Sequence, residues 1–206
     1  MNYTNRKKII RTYTKHHDDY KLYKQPLAED FFHRCAYCDT RDDIITTPFE
    51  IDHFIPRKEF ENIKDCLDSD YTNLIYACKK CNQAKGSKFS GNIFSNHPTN
   101  ELFYDPTETD YNTIFYRNED GIIMSDDYKA KNMIKELRLY RPIYALAWVI
   151  GQANETIQNL ENRIENTSNA DELQALNQVK SKLCEYIYKI NRIFIANYNA
   201  KDNYNL

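Results

Sequence analysis

The sequence contains no apolar run that approaches the roughly 20 residues needed for a membrane-spanning helix. Its N-terminus, MNYTNRKKIIRTYTKHHDDY, also lacks the apolar centre of a secretory signal. Internal repeats and low-complexity tracts are absent as well. These absences exclude a membrane protein and a repeat protein, and they predict a globular protein located in the cytoplasm.

A surplus of positive charge is missing too. The 28 Lys and Arg residues are outnumbered by 30 Asp and Glu residues, so the net charge is -2 at pH 7. This balance excludes a protein that coats nucleic acid by bulk charge, and any contact with phosphate has to be local. The length of 206 residues and the hydrophobic fraction of 41% allow one buried core with a helical appendage.

Cysteine is present six times, and four of the six form two C-x-x-C pairs, Cys35 with Cys38 and Cys78 with Cys81. Without an export signal, thiolate metal ligands in a reducing compartment explain the pairs better than disulfides do. Each pair offers two sulfurs from a tight turn, so together they predict a closed structural zinc site. Free buried thiols or a redox pair are the alternative. The isolated Cys66 and Cys184 are interpreted as small apolar residues.

The segments before the first pair and after the second predict further elements. Residues 2–24 are polar and basic with a helical pattern, which could contact phosphates or form a solvated helix face. Pro26 is expected to start a short helix that leads to Cys35. We predict strands at residues 102–104 and 113–124, the second containing a hairpin turn at residues 118–121.

The C-terminal third is predicted to be helical. Asp126 or Asp127 can cap one helix, Pro142 marks the start of a second, and Ser168 with Asn169 can cap a third. The last two helices carry apolar stripes at three- and four-residue spacing, which predicts an antiparallel helical hairpin. The stripes could pack within the chain or dock a partner. The predicted domains are a helical arm at 1–34, a zinc-held core with its hairpin at 35–125 and a helical region at 126–206.

The stretch FEIDHFIP places an acid and an imidazole, Asp52 and His53, in an apolar strand between the cysteine pairs. The simplest interpretation is a pair of polar groups satisfied by hydrogen bonds. However, a shared zinc ion would also bring Asn82, which follows Cys81, close to this strand. Aspartate and asparagine oxygens suit Mg²⁺ or Mn²⁺, and a histidine can accept a proton from water near neutral pH.

These residues resemble the HNH, or ββα-metal, nuclease family, in the subgroup held by two C-x-x-C knuckles. The motifs EIDHFIP, NL and CNQAKG follow one another in the family's order. The resemblance implies that His53 is the general base, that Asp52 and Asn82 hold a divalent ion, and that Asn73 fixes the segment bearing His53. Asn82 stands where the motif usually ends in histidine. Its side chain still offers a metal ligand, an oxygen, and which metal works best stays open.

Several charged residues around the motif have two interpretations. Glu50 lies two residues before Asp52 and could contact the metal or its water, or could be a supporting or solvent-facing acid. Lys85 could neutralise the attacked phosphate or be an ordinary exposed lysine. A local positive rim for phosphate binding is predicted from Arg57, Lys58, Lys79, Lys80 and Lys88.

The sequence therefore predicts an α+β protein with a ββα-metal core. The resemblance implies an endonuclease that cuts nucleic acid, with DNA as the expected substrate, and that leaves 5′-phosphate ends. The arrangement is also similar to small bacterial HNH proteins that accompany an ATPase in anti-phage defence, which implies a partner ATPase docked on the C-terminal helices. Two alternatives stay open. One is a non-catalytic zinc module that binds nucleic acid, and the other is an effector subunit that a partner must activate.

Overall fold

The structure is a computed structural model that describes residues 1–4, 8–45, 47–61, 67–93 and 100–199. The chain forms two compact units, of which the first is Met1–Arg141 and the second begins at Pro142. The first unit contains the helices α1 (Lys24–Asp30), α2 (Lys79–Lys85) and α3 (Tyr128–Glu136) and the strands β1 (Glu50–His53), β2 (Leu74–Ala77), β3 (Tyr116–Arg117) and β4 (Ile123–Met124). The predicted boundaries after residues 34 and 125 differ from this division, because the N-terminal segment and α3 belong to the first unit.

The centre of the first unit is a strand–strand–helix arrangement. β1 pairs with β2 in antiparallel register, with Asp52 opposite Ile75 and His53 opposite Leu74. Every residue of β2 is buried, as its continuous apolar sequence requires. α2 follows β2 after a single residue, Cys78, and packs against β1. This confirms the mixed helix-and-strand core that was predicted between the cysteine pairs.

The N-terminal segment is not the helical arm that its pattern suggested. Among its described residues, helical turns begin only at Tyr20, and the preceding part is extended or irregular. Tyr3 and Ile9 are buried. Arg11 donates hydrogen bonds to the carbonyls of Tyr71 and Leu74, 2.6 and 2.9 Å away. Bonds to distant backbone groups replace those of a helix, which is why the basic pattern here misled the prediction.

The short helix α1 starts at Lys24, two residues before Pro26, and ends at Asp30. Phe32 and His33 then adopt left-handed backbone conformations, with φ of 57° and 55°. This sharp turn stops the helix and leads the chain into Cys35.

The predicted hairpin is present but short, because its strands β3 and β4 have only two residues each. Its turn uses Asn118, whose side-chain oxygen accepts from the N–H of Ile122, and Gly121 at φ 80°. The buried Arg117 donates to the carbonyls of Tyr3, Gly121 and Cys38, and so joins the hairpin to the N-terminus and the first cysteine pair. The strand predicted at residues 102–104 is wrong, since this segment forms bends.

The C-terminal helices begin where the capping signals placed them. Asp127 caps α3, accepting from the N–H of Ala130 at 2.7 Å. The second unit contains α4 (Pro142–Asn166) and α5 (Ala170–Asn199), and Asn169 accepts from two N–H groups at the start of α5. α4 and α5 pack together as the predicted helical hairpin. In the described part of the chain no helix has the length and apolar character to span a bilayer.

Candidate functional site

The four paired cysteines form one buried cluster. Their sulfur atoms all lie within 4.8 Å of one another, and none of the four side chains is exposed. The Sγ atoms of Cys38 and Cys78 are 3.8 Å apart, close to the edge of about 3.8 Å expected for a tetrahedron with metal–sulfur bonds of about 2.3 Å. Burial raises the pKa of the Cys35 thiol, but hydrogen bonds with the other three thiols outweigh it and lower that pKa. The pKa of Cys78 is raised by its hydrogen bonds with Cys35 and Cys38, and burial raises the pKa of Cys81. The cluster therefore suits a single metal ion with four sulfur ligands.

Both cysteine pairs are fixed to β2. The N–H of Ala36, inside the first pair, donates to the carbonyl of Tyr76 at 2.9 Å. The second pair starts with Cys78, directly after β2, and its second member, Cys81, lies in the first turns of α2. The cluster thus joins the turn after α1, strand β2 and helix α2, and it fixes the position of α2 against β1.

The side of β1 that faces α2 carries Glu50 and Asp52, as the two-residue period of a strand requires. The Nδ2 of Asn82 donates to Glu50 Oε2 at 2.7 Å. Asp52 instead accepts from Tyr37 at 2.6 Å and from Lys85 at 2.8 Å, one bond to each oxygen. Asn82 is therefore beside β1, as expected, but its amide nitrogen is bonded to Glu50.

Lys85 is completely buried, and its ammonium group also donates to the carbonyl of His53 at 2.7 Å. Asp52 is only 4% exposed. Burial raises the pKa of Asp52, and Lys85 and Tyr37 oppose this rise. The phosphate contact predicted for Lys85 is not compatible with this position, because its charge is directed at a buried carboxylate rather than at solvent.

Asn73 is buried between the end of β1 and the loop before β2. Its Oδ1 accepts from the N–H of Ile55 at 2.8 Å, and its Nδ2 donates to the carbonyls of Ile55 and Leu67, 3.2 and 3.1 Å away. The backbone carbonyl of Asn73 also accepts from the N–H of Phe54. Asn73 thus ties the residues after His53 to the residue before Asp68.

His53 is the last residue of β1. Its Nε2 is 3.0 Å from the carbonyl oxygen of Asp68 and 3.2 Å from Asp68 Oδ1. Since both neighbours are acceptors, Nε2 carries the proton of the neutral ring, and Nδ1 is the unprotonated nitrogen. The ring of Tyr20 meets the His53 ring edge-on at 5.0 Å. The side chain of His53 is 9% exposed, and this burial lowers its pKa, against the effect of the Asp68 carbonyl.

Residues 35–88 match the family model of the HNH endonucleases. We call these residues the HNH region. The chain is also 27% identical over 164 residues to Septu protein PtuB of Bacillus thuringiensis, an alignment that covers 78% of this chain and 58% of that protein. The chain thus spans less than two thirds of the length of this relative. No solved structure matches the chain. The match confirms the predicted resemblance, and it spans both cysteine pairs and the strand with Asp52 and His53.

The predicted positive rim of the HNH region is partly neutralised. Arg57 is 49% exposed and forms a two-bond ion pair with Asp68. Lys88 pairs with Glu136 at 2.8 Å, and Lys58 lies 3.4 Å from Glu59. Lys79 is exposed and Lys80 is half-buried, both in the first turn of α2. Phosphate binding at Arg57 or Lys88 would therefore compete with, or add to, an existing carboxylate contact.

Sequence reasoning missed three residues that contact this site, Tyr20, Tyr37 and Asp68. Tyr37 lies inside the first cysteine pair, and burial together with Asp52 raises its pKa, so it remains a hydrogen-bond donor. Tyr20 and Asp68 come from segments without a recognisable motif. Cys184, interpreted from the sequence as a small apolar residue, is exposed on α5, and Cys66 lies outside the described residues.

Replacing Lys85 with methionine should destabilise the protein by about 3 to 5 kcal/mol, because it leaves the buried Asp52 carboxylate without its cation. Urea unfolding of the zinc-loaded protein, without added Mg²⁺ or Mn²⁺, measures this loss. The double variant Lys85→Met, Asp52→Asn should recover part of the stability, since it removes the buried charge as well. A single variant as stable as the wild type, or a double variant no better than the single one, would contradict a structural role for the ion pair.

Proposed function

We propose that this protein is a metal-dependent endonuclease that hydrolyses phosphodiester bonds in DNA, with His53 as the general base. The observation that carries the proposal is the fixed orientation of His53 within the HNH region. Its Nε2 is directed at Asp68, which leaves Nδ1 to accept a proton. The lowered pKa of His53 favours the unprotonated ring that a general base requires near neutral pH.

The reaction we propose is attack of a water oxygen on the phosphorus atom while His53 accepts the water proton. The bond from phosphorus to the 3′ oxygen breaks, so the products carry 5′-phosphate and 3′-hydroxyl ends. Asn73 supports this role of His53, since four of its hydrogen bonds connect the residues on either side of the loop that contacts the ring.

We further propose zinc as the ion of the cysteine cluster. Four thiolates with near-tetrahedral spacing suit zinc, and no coordination position is left for water, so the ion would be structural. It would hold α2 against the strand that carries His53.

A second, divalent ion would be held by Asp52 and Asn82, with Mg²⁺ or Mn²⁺ as candidates. The donor set fits such an ion. The amide nitrogen of Asn82 is occupied by Glu50, so its oxygen is the atom left for a ligand. Each Asp52 oxygen accepts one hydrogen bond, and a carboxylate has about four acceptor positions. When bound, this ion would stabilise negative charge on the phosphate and on the departing oxygen. Glu50 would orient Asn82 through their hydrogen bond.

We propose a role in bacterial defence, supported by the similarity to a Septu defence protein and by the arrangement of the sequence. In this proposal a partner ATPase docks on the helical hairpin of α4 and α5 and controls cleavage. Several apolar side chains of α5 are exposed and could take part, among them Val179, Tyr186 and Ile193.

The proposal is tested by incubating the purified full chain with plasmid DNA, single-stranded DNA and RNA, with and without added Mg²⁺ or Mn²⁺. We expect cleavage of DNA that depends on the added ion, in the isolated chain or once a co-purified partner is present. A protein that only binds nucleic acid would instead show salt-sensitive binding without cutting under every condition, and that result would refute the proposed enzyme.

A further inference from the structure

Asp68 contacts the candidate base with two different groups. Its backbone carbonyl is 3.0 Å from His53 Nε2, and its carboxylate oxygen Oδ1 is 3.2 Å from the same atom. Any residue at this position could supply the carbonyl. The carboxylate, however, requires aspartate at this point in the loop. The Asp68 side chain is 31% exposed, so it lies at the boundary between the buried ring and solvent.

Arg57 holds the Asp68 carboxylate in this position. Its Nη2 donates to Oδ2 at 2.8 Å, and its Nε donates to Oδ1, the oxygen that also faces His53. The guanidinium group lies over the Tyr20 ring, 4.5 Å from its centre, and the same ring meets His53 edge-on. Arg57, Asp68 and Tyr20 therefore enclose one side of the His53 ring, and each has a defined contact with another member of the group.

Arg57 has N–H donors that do not bond to Asp68. A guanidinium has five N–H donors, of which the two bonds to Asp68 use two and a hydrogen bond to the Tyr20 hydroxyl uses another. The side chain is 49% exposed, so the remaining donors can meet a phosphate oxygen while the bonds to Asp68 persist. Arg57 is thus able to contact a nucleic-acid phosphate and the carboxylate next to the base at the same time.

We infer that Asp68 is a positioning residue for His53, and that Arg57 connects this positioning to phosphate binding. The inference rests on the proposed nuclease function and extends it. The Asp68 carboxylate limits rotation of the imidazole, so Nδ1 keeps one direction towards the attacking water. Arg57 keeps the carboxylate in place, and a phosphate bound to its free donors immobilises the arrangement further. A small displacement of a reacting group can cost on the order of 10²-fold in rate.

The test uses the full chain, zinc-loaded, with a nucleic acid that the wild type cleaves. Asp68→Ala keeps the backbone carbonyl and removes the carboxylate. We expect kcat to fall roughly 10- to 100-fold while KM changes little. Arg57→Ala should lower kcat as well and should also raise KM, because it removes a phosphate contact. Asp70→Asn is the matched control. Asp70 is in the same loop and caps the turn at Tyr71–Asn73 through Thr72, and asparagine can cap in the same way.

A second measurement reports on the hydrogen bond between His53 Nε2 and Asp68. In proton NMR spectra, the Nε2–H of His53 should give a slowly exchanging downfield signal in the wild type and in Asp70→Asn, and His53→Gln identifies it by its loss. The signal should shift or broaden in Asp68→Ala. Both the kcat change and the signal change are required, and either one alone overturns the inference. A wild type that cleaves normally beside an equally active Asp68→Ala variant defeats only this inference, whereas a wild type that cleaves nothing defeats the proposed function.

Discussion

Replacing Cys78 with serine should remove the bound metal and unfold the HNH region, rather than only reduce its activity. A structural zinc ion contributes on the order of 10 kcal/mol to folding, which is comparable to the whole stability of a typical domain. The cluster joins the first cysteine turn, β2 and α2 in one place. Losing one sulfur therefore removes the one link that all three elements share.

Metal analysis and thermal unfolding measure this effect. The wild type should contain about one zinc ion per chain, as a site with four protein ligands requires, and should lose its folded structure on treatment with a strong chelator. Cys184→Ser is the matched control, because Cys184 is exposed on α5, and this variant should keep both zinc and stability. A Cys78→Ser protein that melts like the wild type would show that the cluster does not hold the fold.

Replacing His53 with alanine should reduce cleavage by about 10² to 10⁴-fold, the contribution typical of general base catalysis. Among the other described histidines, His16 and His33 are on exposed parts of the chain, and His17 bonds to the hydroxyl group of Tyr13. The loss should be seen in kcat, because the proposed role of His53 is to accept a proton from water and not to bind the substrate.

Cleavage rates at saturating substrate measure this change. His53→Gln is a useful second variant, because it fills more of the space beneath Tyr20 and keeps a hydrogen-bond donor, yet it cannot accept the proton as histidine does. His16→Ala, with a side chain that is 76% exposed, serves as the control and should retain full activity. Equal rates for the wild type and both His53 variants would exclude His53 as the base.

The parts of the fold that could be predicted are those with local signals. Two cysteines in one tight turn can share a metal ion, and the two pairs were therefore expected to meet although they are 40 residues apart in the sequence. The helix starts were predicted close to their positions in the structure, because their signals act within a few residues. These signals are the caps Asp127 and Asn169, and Pro142 at the start of α4. The resemblance to HNH nucleases was recognisable for the same reason, since its motifs are short and ordered.

The parts that could not be predicted depend on contacts between distant segments. Residues 2–24 have a basic, helix-like pattern, but Arg11 binds the backbone carbonyls of Tyr71 and Thr72, and the pattern does not reveal such partners. The sequence left Lys85 either as a phosphate contact or as an ordinary exposed lysine, whereas its partner is the buried Asp52. Asp68 has no motif around it, and its role follows only from its distance to His53.

We propose that His53, held in place by the fold around the cysteine cluster, is the base in the hydrolysis of phosphodiester bonds. This proposal is tested most directly by the rate at which the zinc-loaded chain nicks plasmid DNA when Mg²⁺ or Mn²⁺ is added, measured side by side for the wild type and a folded His53→Ala variant. We predict nicking that requires the added ion, leaves 5′-phosphate ends and nearly disappears in the variant. Nicking of equal rate in both proteins would contradict the account.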